Sequence, residues 1–161
     1  MKKKQNMQAL ILHNIRSVYN VGSIFRTADA AGVTKIILSG YTPLPVDRFG
    51  LPRKDFVKVS LGAELSIPWL QIKTLGSAIK QLRKENYLIV AVEQDKKSVS
   101  LFDFKPPKNK PVALVLGNEV RGLSKSALAL CDKIVEIPMR GKKESLNVSV
   151  SAGIAMFTLL H

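Results

Sequence analysis

Short runs that are apolar on nearly every residue recur along this chain, separated by stretches of helical periodicity, and that alternation limits the fold more than any other feature. Met7 to Leu12 is the first run, and the helix formers from Val21 to Ala31 after it stop at Gly32, as a helix C-terminus does. Lys35 to Leu38, Tyr87 to Val92, Val112 to Leu116 and Ile134 to Ile137 repeat the strand signal. Strands that are covered on both faces read this way, and parallel sheets cover both faces. Leu75 to Glu85 places Leu75, Ile79 and Leu82 on one side of a helix, with Lys80, Arg83 and Lys84 turned away. Ser124 opens a short helix, and Asn147 to Leu160 reads as the closing one. The expectation is an α/β domain whose mostly parallel sheet is flanked by helices.

At 161 residues and 46% apolar composition, the chain is expected to form a single domain over 1–161, able to build a core without disulfides or metals. Two stretches break the rhythm. Gly40 to Leu70 carries Pro43, Pro45, Pro52 and Pro68 with Arg48, Arg53, Lys54 and Lys58, and it is too long for a passive connection. It reads as a functional loop region. Lys105 to Pro111 reads as an exposed connector into the fourth of the expected strands.

The 25 Lys and Arg against 12 Asp and Glu give a formal charge of +13. Such an excess points to a polyanionic partner, with nucleic acid ahead of a membrane surface. A single cysteine, Cys131, excludes an intramolecular disulfide and suits a reducing cytoplasm, and it reads as a buried small hydrophobe. Met1 to Lys4 is basic, but no apolar segment and cleavage site follow, so no signal peptide is expected. The longest apolar stretch, Ile154 to Leu160, is far short of the about 20 residues that cross a bilayer.

Several familiar chemistries lack their residues. Gly117 to Ser124 spaces two glycines as a P-loop does, but Leu123 stands where that loop needs lysine. Val21-Gly22-Ser23 is no dinucleotide-binding turn. His13, His161 and Cys131 cannot make a zinc site of usual spacing, so no metal is expected. His13 also has no Gly-x-Ser-x-Gly nucleophile to serve.

Three segments remain, each leading from a strand into a polar loop and a helix. The first is Asn14 to Gly32, where Asn20 reads as an N-cap and Arg26 as a residue inside the helix. The second, Leu114 to Ser124, is a buried strand ending at Gly117, and ligands of parallel sheets collect at such carboxyl ends. The third is Ile137-Pro138-Met139-Arg140-Gly141-Lys142-Lys143 followed by Glu144-Ser145-Leu146-Asn147-Val148-Ser149-Val150-Ser151.

Together and in this order, the segments resemble the three signature motifs of the SpoU-type (TrmH-like) RNA 2'-O-ribose methyltransferases of the SPOUT superfamily. The resemblance runs from about Leu10 to the C-terminus, and the Ser-Leu-Asn-Val-Ser run after Ile-Pro-Met is its most specific part. It implies a SPOUT fold with a C-terminal trefoil knot, S-adenosylmethionine as cofactor, and a homodimer with the first motif near the interface. It also implies that Arg26 takes part in removing the 2'-OH proton, that Asn20 orients arginine or ribose, and that Glu119, Ser145 and Asn147 complete the catalytic set. An arginine keeps its proton, so a role in holding phosphate and ribose is the gentler expectation for Arg26. The cofactor is expected at Val92, Leu116, Gly117, Ile137, Met139 and Leu146, while Val148 and Val150 are expected to anchor the closing helix.

RNA is the expected partner, with Arg16, Arg48, Arg53, Lys54, Arg121, Arg140, Lys142 and Lys143 as candidate contacts. No separate RNA-binding domain is expected, and transfer RNA is preferred over ribosomal RNA by analogy alone. The competing readings are a noncatalytic RNA-binding module with the same fold and a SPOUT enzyme that methylates a base.

Overall fold

The computed structural model of the chain describes residues 8–160. The strands are β1 (Gln8–His13), β2 (Lys35–Ser39), β3 (Trp69–Ile72), β4 (Leu88–Val92), β5 (Val99–Ser100), β6 (Val112–Leu116) and β7 (Lys133–Glu136). The helices are α1 (Val18–Ala31), α2 (Lys54–Ser60), α3 (Ala63–Ser66), α4 (Leu75–Lys84), α5 (Lys125–Ala129) and α6 (Val148–Leu160). Met7, expected to start the first strand, and His161 lie outside the described residues.

All pairings are parallel, in the order β3-β2-β1-β6-β4-β7-β5. Side chains alternate across each strand, so the sheet has two apolar faces. Leu10, Leu12, Ile36, Leu38, Val90, Leu114 and Leu116 pack with α1, α2 and α6 on one. Ala9, Ile11, Ile37, Ile89, Ala91, Ala113 and Val115 pack with α4 and α5 on the other. A strand covered on both sides has no use for polar residues, which is why these runs read as continuously apolar.

Helix starts follow capping chemistry. The Ser17 hydroxyl accepts from Asn20 N at 3.2 Å, so α1 begins at Val18 with Ser17 as its cap, and Asn20 is freed from the capping role expected of it. Thr74 and Ser124 cap α4 and α5 in the same way. Gly32 ends α1 in the left-handed region at φ 79°. At Gly153 α6 faces Thr27 of α1, and a Cβ there would make an ordinary contact with Thr27 Cγ2 at 3.4 Å.

Two expectations change. The region 40–70 is not one long loop, because it folds α2, α3 and the start of β3, and α2 inserts Phe56 edge-on against Phe25 with ring centroids 5.2 Å apart. Residues 40–53 remain irregular apart from the Val46–Pro52 bridge, with short turns at 61–62 and 67–68. Val148 is buried as expected, but Val150 is 49% exposed and does not anchor α6 in the core. The closing helix is apolar nearly all round, so it has more apolar surface than the sheet side can cover.

Candidate active site

The strand order reverses direction about the central strands: the first three strands run outward on one side, and β6 then inserts between β1 and β4. At such a switch point, loops leaving the carboxyl ends part and leave a crevice. Here the ends of β4, β6 and β7 form a cleft lined by Val92, Leu116, Gly117, Ile137, Met139 and Leu146. Those are the residues expected to hold a cofactor. Glu119 and Ser145 line it too.

The walls add groups that sequence reasoning missed. Glu93 and Glu136 bring carboxylates, and Gln94, Asn118, Val120, Gly122, Val148 and Ser151 complete the lining. Glu93 and Glu136 directly follow or end apolar strand runs, which was the signal available for them. The β6 loop is tightly folded over this wall: Gly122 takes φ 64°, and a Cβ there would stand 2.3 Å from Glu93 Oε2. Glu93 Oε2 in turn accepts from Leu123 N at 3.0 Å.

At the rim the three sequence segments meet through side chains. The Glu119 carboxylate accepts from Arg16 N at 3.0 and 3.2 Å, from Ser17 N at 3.0 Å and from Asn20 Nδ2 at 3.1 Å. Burial works against ionisation of this carboxyl, but the Arg16 and Ser17 N–H groups and the Asn20 amide outweigh it and hold the pKa below the usual glutamate value. Asn147 Nδ2 donates to Asn20 Oδ1 at 3.2 Å, and Asn147 Oδ1 accepts from Ser149 N at 2.8 Å and Ser149 Oγ at 2.6 Å. Asn20 is 6% exposed, and its amide bridges one segment to the next.

Asn118 serves the second segment similarly. Its Oδ1 accepts from Val120 N and Arg121 N at 2.9 and 2.8 Å, while its Nδ2 donates to Asn14 O and Tyr41 Oη, both at 3.0 Å. In the sequence it was one residue of the second segment, after Gly117, with no role assigned.

The expected set is not all in one place. Arg26 is exposed on α1, seven residues from Tyr19 and so on the same helix face, and it does not line the cleft. Among the candidate RNA contacts, Arg16 and Arg121 line a hollow beside the cleft. Arg48 and Arg53 line another hollow formed by residues 40–53, where Arg48 stacks on Phe49 and Arg53 pairs with Asp55. Lys54 begins α2, and Arg140, Lys142 and Lys143 project from the loop after β7. His13 bonds Ser39 Oγ at 2.9 Å, and burial lowers its pKa. Among the described residues no group of three or more His, Cys, Asp and Glu is placed to hold a metal, and no helix is long and apolar enough to cross a membrane.

Known proteins resemble this chain in sequence and fold. The chain is 37% identical over 153 residues to an uncharacterized tRNA/rRNA methyltransferase of Archaeoglobus fulgidus, covering 93% of this chain and 62% of that one. It is 35% identical over 148 residues to the 23S rRNA (guanosine-2'-O-)-methyltransferase RlmB of Salmonella typhi, covering 92% of this chain and 57% of the relative. It thus spans about three fifths of these curated relatives' length. The crystal structure of an AdoMet-bound rRNA methyltransferase from Sinorhizobium meliloti superposes with a TM-score of 0.85 at 30% identity, over 98% of this chain and 57% of that one. The model of the SpoU rRNA Methylase family matches residues 7–157, all three segments included, and the chain belongs to that family.

Proposed function

We propose that the chain transfers a methyl group to a ribose 2'-OH of RNA, with S-adenosylmethionine held in the cleft between β4, β6 and β7. The observation that carries this reading is the relay from Asn147 through Asn20 to Glu119, which joins the three motif segments at the cleft rim. The lining suits the cofactor. A sulfonium cation finds acidic walls in Glu93 and Glu136, and an adenine ring finds apolar surface in Leu116, Ile137, Met139 and Leu146. Val92 and Gly117 would offer strand-end backbone.

When bound, the cofactor supplies an electrophilic methyl group. The protein's own part is alignment of the attacking oxygen and relief of its proton. Ser145 and Asn147 orient the ribose hydroxyl. Asn20 fixes the Asn147 amide, and Glu119 fixes Asn20, so these two act as positioning residues. Arg26 holds the RNA phosphate. Its guanidinium keeps its own proton, so the hydroxyl proton passes to solvent or to a phosphate oxygen.

The proposal includes a homodimer. Tyr19 on α1 and Val150 and Phe157 on α6 are large, apolar and exposed on two helices that pack together, and Arg26 shares the Tyr19 face. It also includes the C-terminal trefoil knot. In support, the segment after β7, which lies between β4 and β5, returns to α6 beside α1, and Gln94 Nε2 donates to the Glu144 carbonyl at 2.6 Å where that segment passes the connection after β4. A single catalytic domain in the cytoplasm, without metal, completes the reading.

Calorimetry with S-adenosylmethionine, followed by labelled methyl transfer to separated ribosomal and transfer RNA and digestion to nucleosides, tests it. A 2'-O-methylated nucleoside is the expected product. Absence of cofactor binding would reject the enzyme, and a methylated base would reject the ribose.

A further inference from the structure

The hollow beside the cleft is lined by Arg16, Tyr41, Asn118, Val120 and Arg121, and it shares Asn118 and Val120 with the cleft itself. A group seated in it therefore adjoins whatever occupies the cleft. Tyr41 is an unusual wall: its side chain belongs to a residue 58% exposed, yet it is tethered at both ends. Its hydroxyl accepts from Asn118 Nδ2 at 3.0 Å, and its backbone N–H donates to Asn14 Oδ1 at 3.2 Å. Gly40 before it sits at φ 63°, where a Cβ would overlap Asn14 Oδ1, so the turn that presents the ring admits no other residue.

Two arginines line the same hollow with their backbones fixed and their side chains exposed. Arg16 N is held by Glu119 and Arg121 N by Asn118. A tethered aromatic side chain in a hollow also lined by two arginines suits a planar, uncharged ring attached to phosphate. Single-stranded RNA presents that combination, because its unstacked bases lie on aromatic side chains while arginines take the backbone.

We infer that this hollow is a nucleobase subsite, in which Tyr41 stacks on a base at or next to the target ribose and Arg16 and Arg121 take the flanking phosphates. The inference rests on the ribose-methylation reading and deepens it, since it makes base identity next to the reacting hydroxyl a matter for Tyr41. A tyrosine that merely closes the turn at residues 39–42 would need its hydroxyl bond and no ligand on its ring face.

The test compares two fluorescein-labelled decamers, one of adenylate and one of abasic ribose phosphate, titrated against the intact chain by anisotropy. Stacking on an aromatic side chain contributes about 1–3 kcal/mol per base, so the wild type should bind the adenylate decamer on the order of ten-fold tighter. Tyr41→Ala should abolish that preference and leave abasic binding unchanged, while Tyr41→Trp should keep it. Retention of the preference in Tyr41→Ala, or equal loss of affinity for both decamers, overturns the subsite. If Tyr41→Ala does not fold, Tyr41→Trp in a Trp69→Phe background decides: quenching of its emission by adenylate alone supports stacking, and quenching by neither decamer rejects it. A wild type that binds neither decamer rejects the RNA reading as well, whereas one that binds both alike rejects only the subsite.

Discussion

The side-chain amide of Asn147 donates to the Asn20 carbonyl oxygen at 3.2 Å, closing a contact between residues 127 positions apart. Asn20 simultaneously donates to Glu119, so neither amide can turn over without losing a partner. Asn147→Ala should cost about 1–2 kcal/mol, since it leaves the buried Asn20 amide oxygen unsatisfied, and Asn20→Ala a similar amount, since it removes a buried amide together with both of its bonds. The double variant should cost less than their sum, because both remove the same bond. Urea unfolding of the four proteins measures this; strict additivity would mean that the relay does not exist in solution.

Glu119 makes the site sensitive to acid. Its folded pKa lies below the ordinary value of 4.5, so its stabilising contribution is present above about that pH and is lost as pH falls through the lowered value. The stability difference between wild type and Glu119→Gln should therefore be flat from pH 7 to 5 and shrink at lower pH. A difference that instead grows on acidification would contradict the lowered pKa.

Gly122 should tolerate no side chain. Ala at φ 64° costs about 1–2 kcal/mol from backbone conformation alone, and its methyl must also displace the Glu93 carboxylate that holds Leu123 N. Gly122→Ala is expected to lower the urea midpoint and to weaken S-adenosylmethionine binding together. Gly141, whose surroundings are open, serves as the control: Gly141→Ala should change neither.

Arg26 offers the reverse pattern. It is exposed, so Arg26→Lys should alter stability by no more than about 0.5 kcal/mol. Single-turnover methyl transfer should nonetheless fall by about two orders of magnitude, because lysine lacks the planar fork that fixes a phosphate. Equal loss of RNA affinity would assign Arg26 to binding alone.

Cys131 should be chemically quiet. Burial, then the nearby Asp132 carboxylate, push its thiol up to about 11, against the weaker pull of Arg83, so at pH 8 almost none is thiolate. Iodoacetamide should label the native protein slowly and the urea-unfolded protein quickly.

The core strands were readable in the sequence because burial on both faces removes the polar residues that blur a pattern. β3 and β5 were not. Trp69–Ile72 carries Gln71 and follows Pro68, and Val99–Ser100 is two residues long, so neither offers a run to detect. α2 was hidden among prolines and cations, with Phe56 its single fully buried large side chain. Cleft-lining positions followed from strand ends. Asn118 and Tyr41 could not be found that way, because their roles depend on a contact across 77 residues. Arg26 was legible as a motif member but not as a residue outside the cleft, since helix geometry alone does not say which face meets a neighbouring element.

The position of β6 has a consequence for synthesis. Leu114 and its neighbours bond to both β1 and β4, yet β6 is the sixth of seven strands to emerge from the ribosome. Until then β1 has an open edge towards the place β6 will take, and β4 has no neighbour on that side. Because β7, the other neighbour of β4, emerges later still, β4 waits without any strand partner until β6 arrives, so closure of the sheet and assembly of the cleft become one late event.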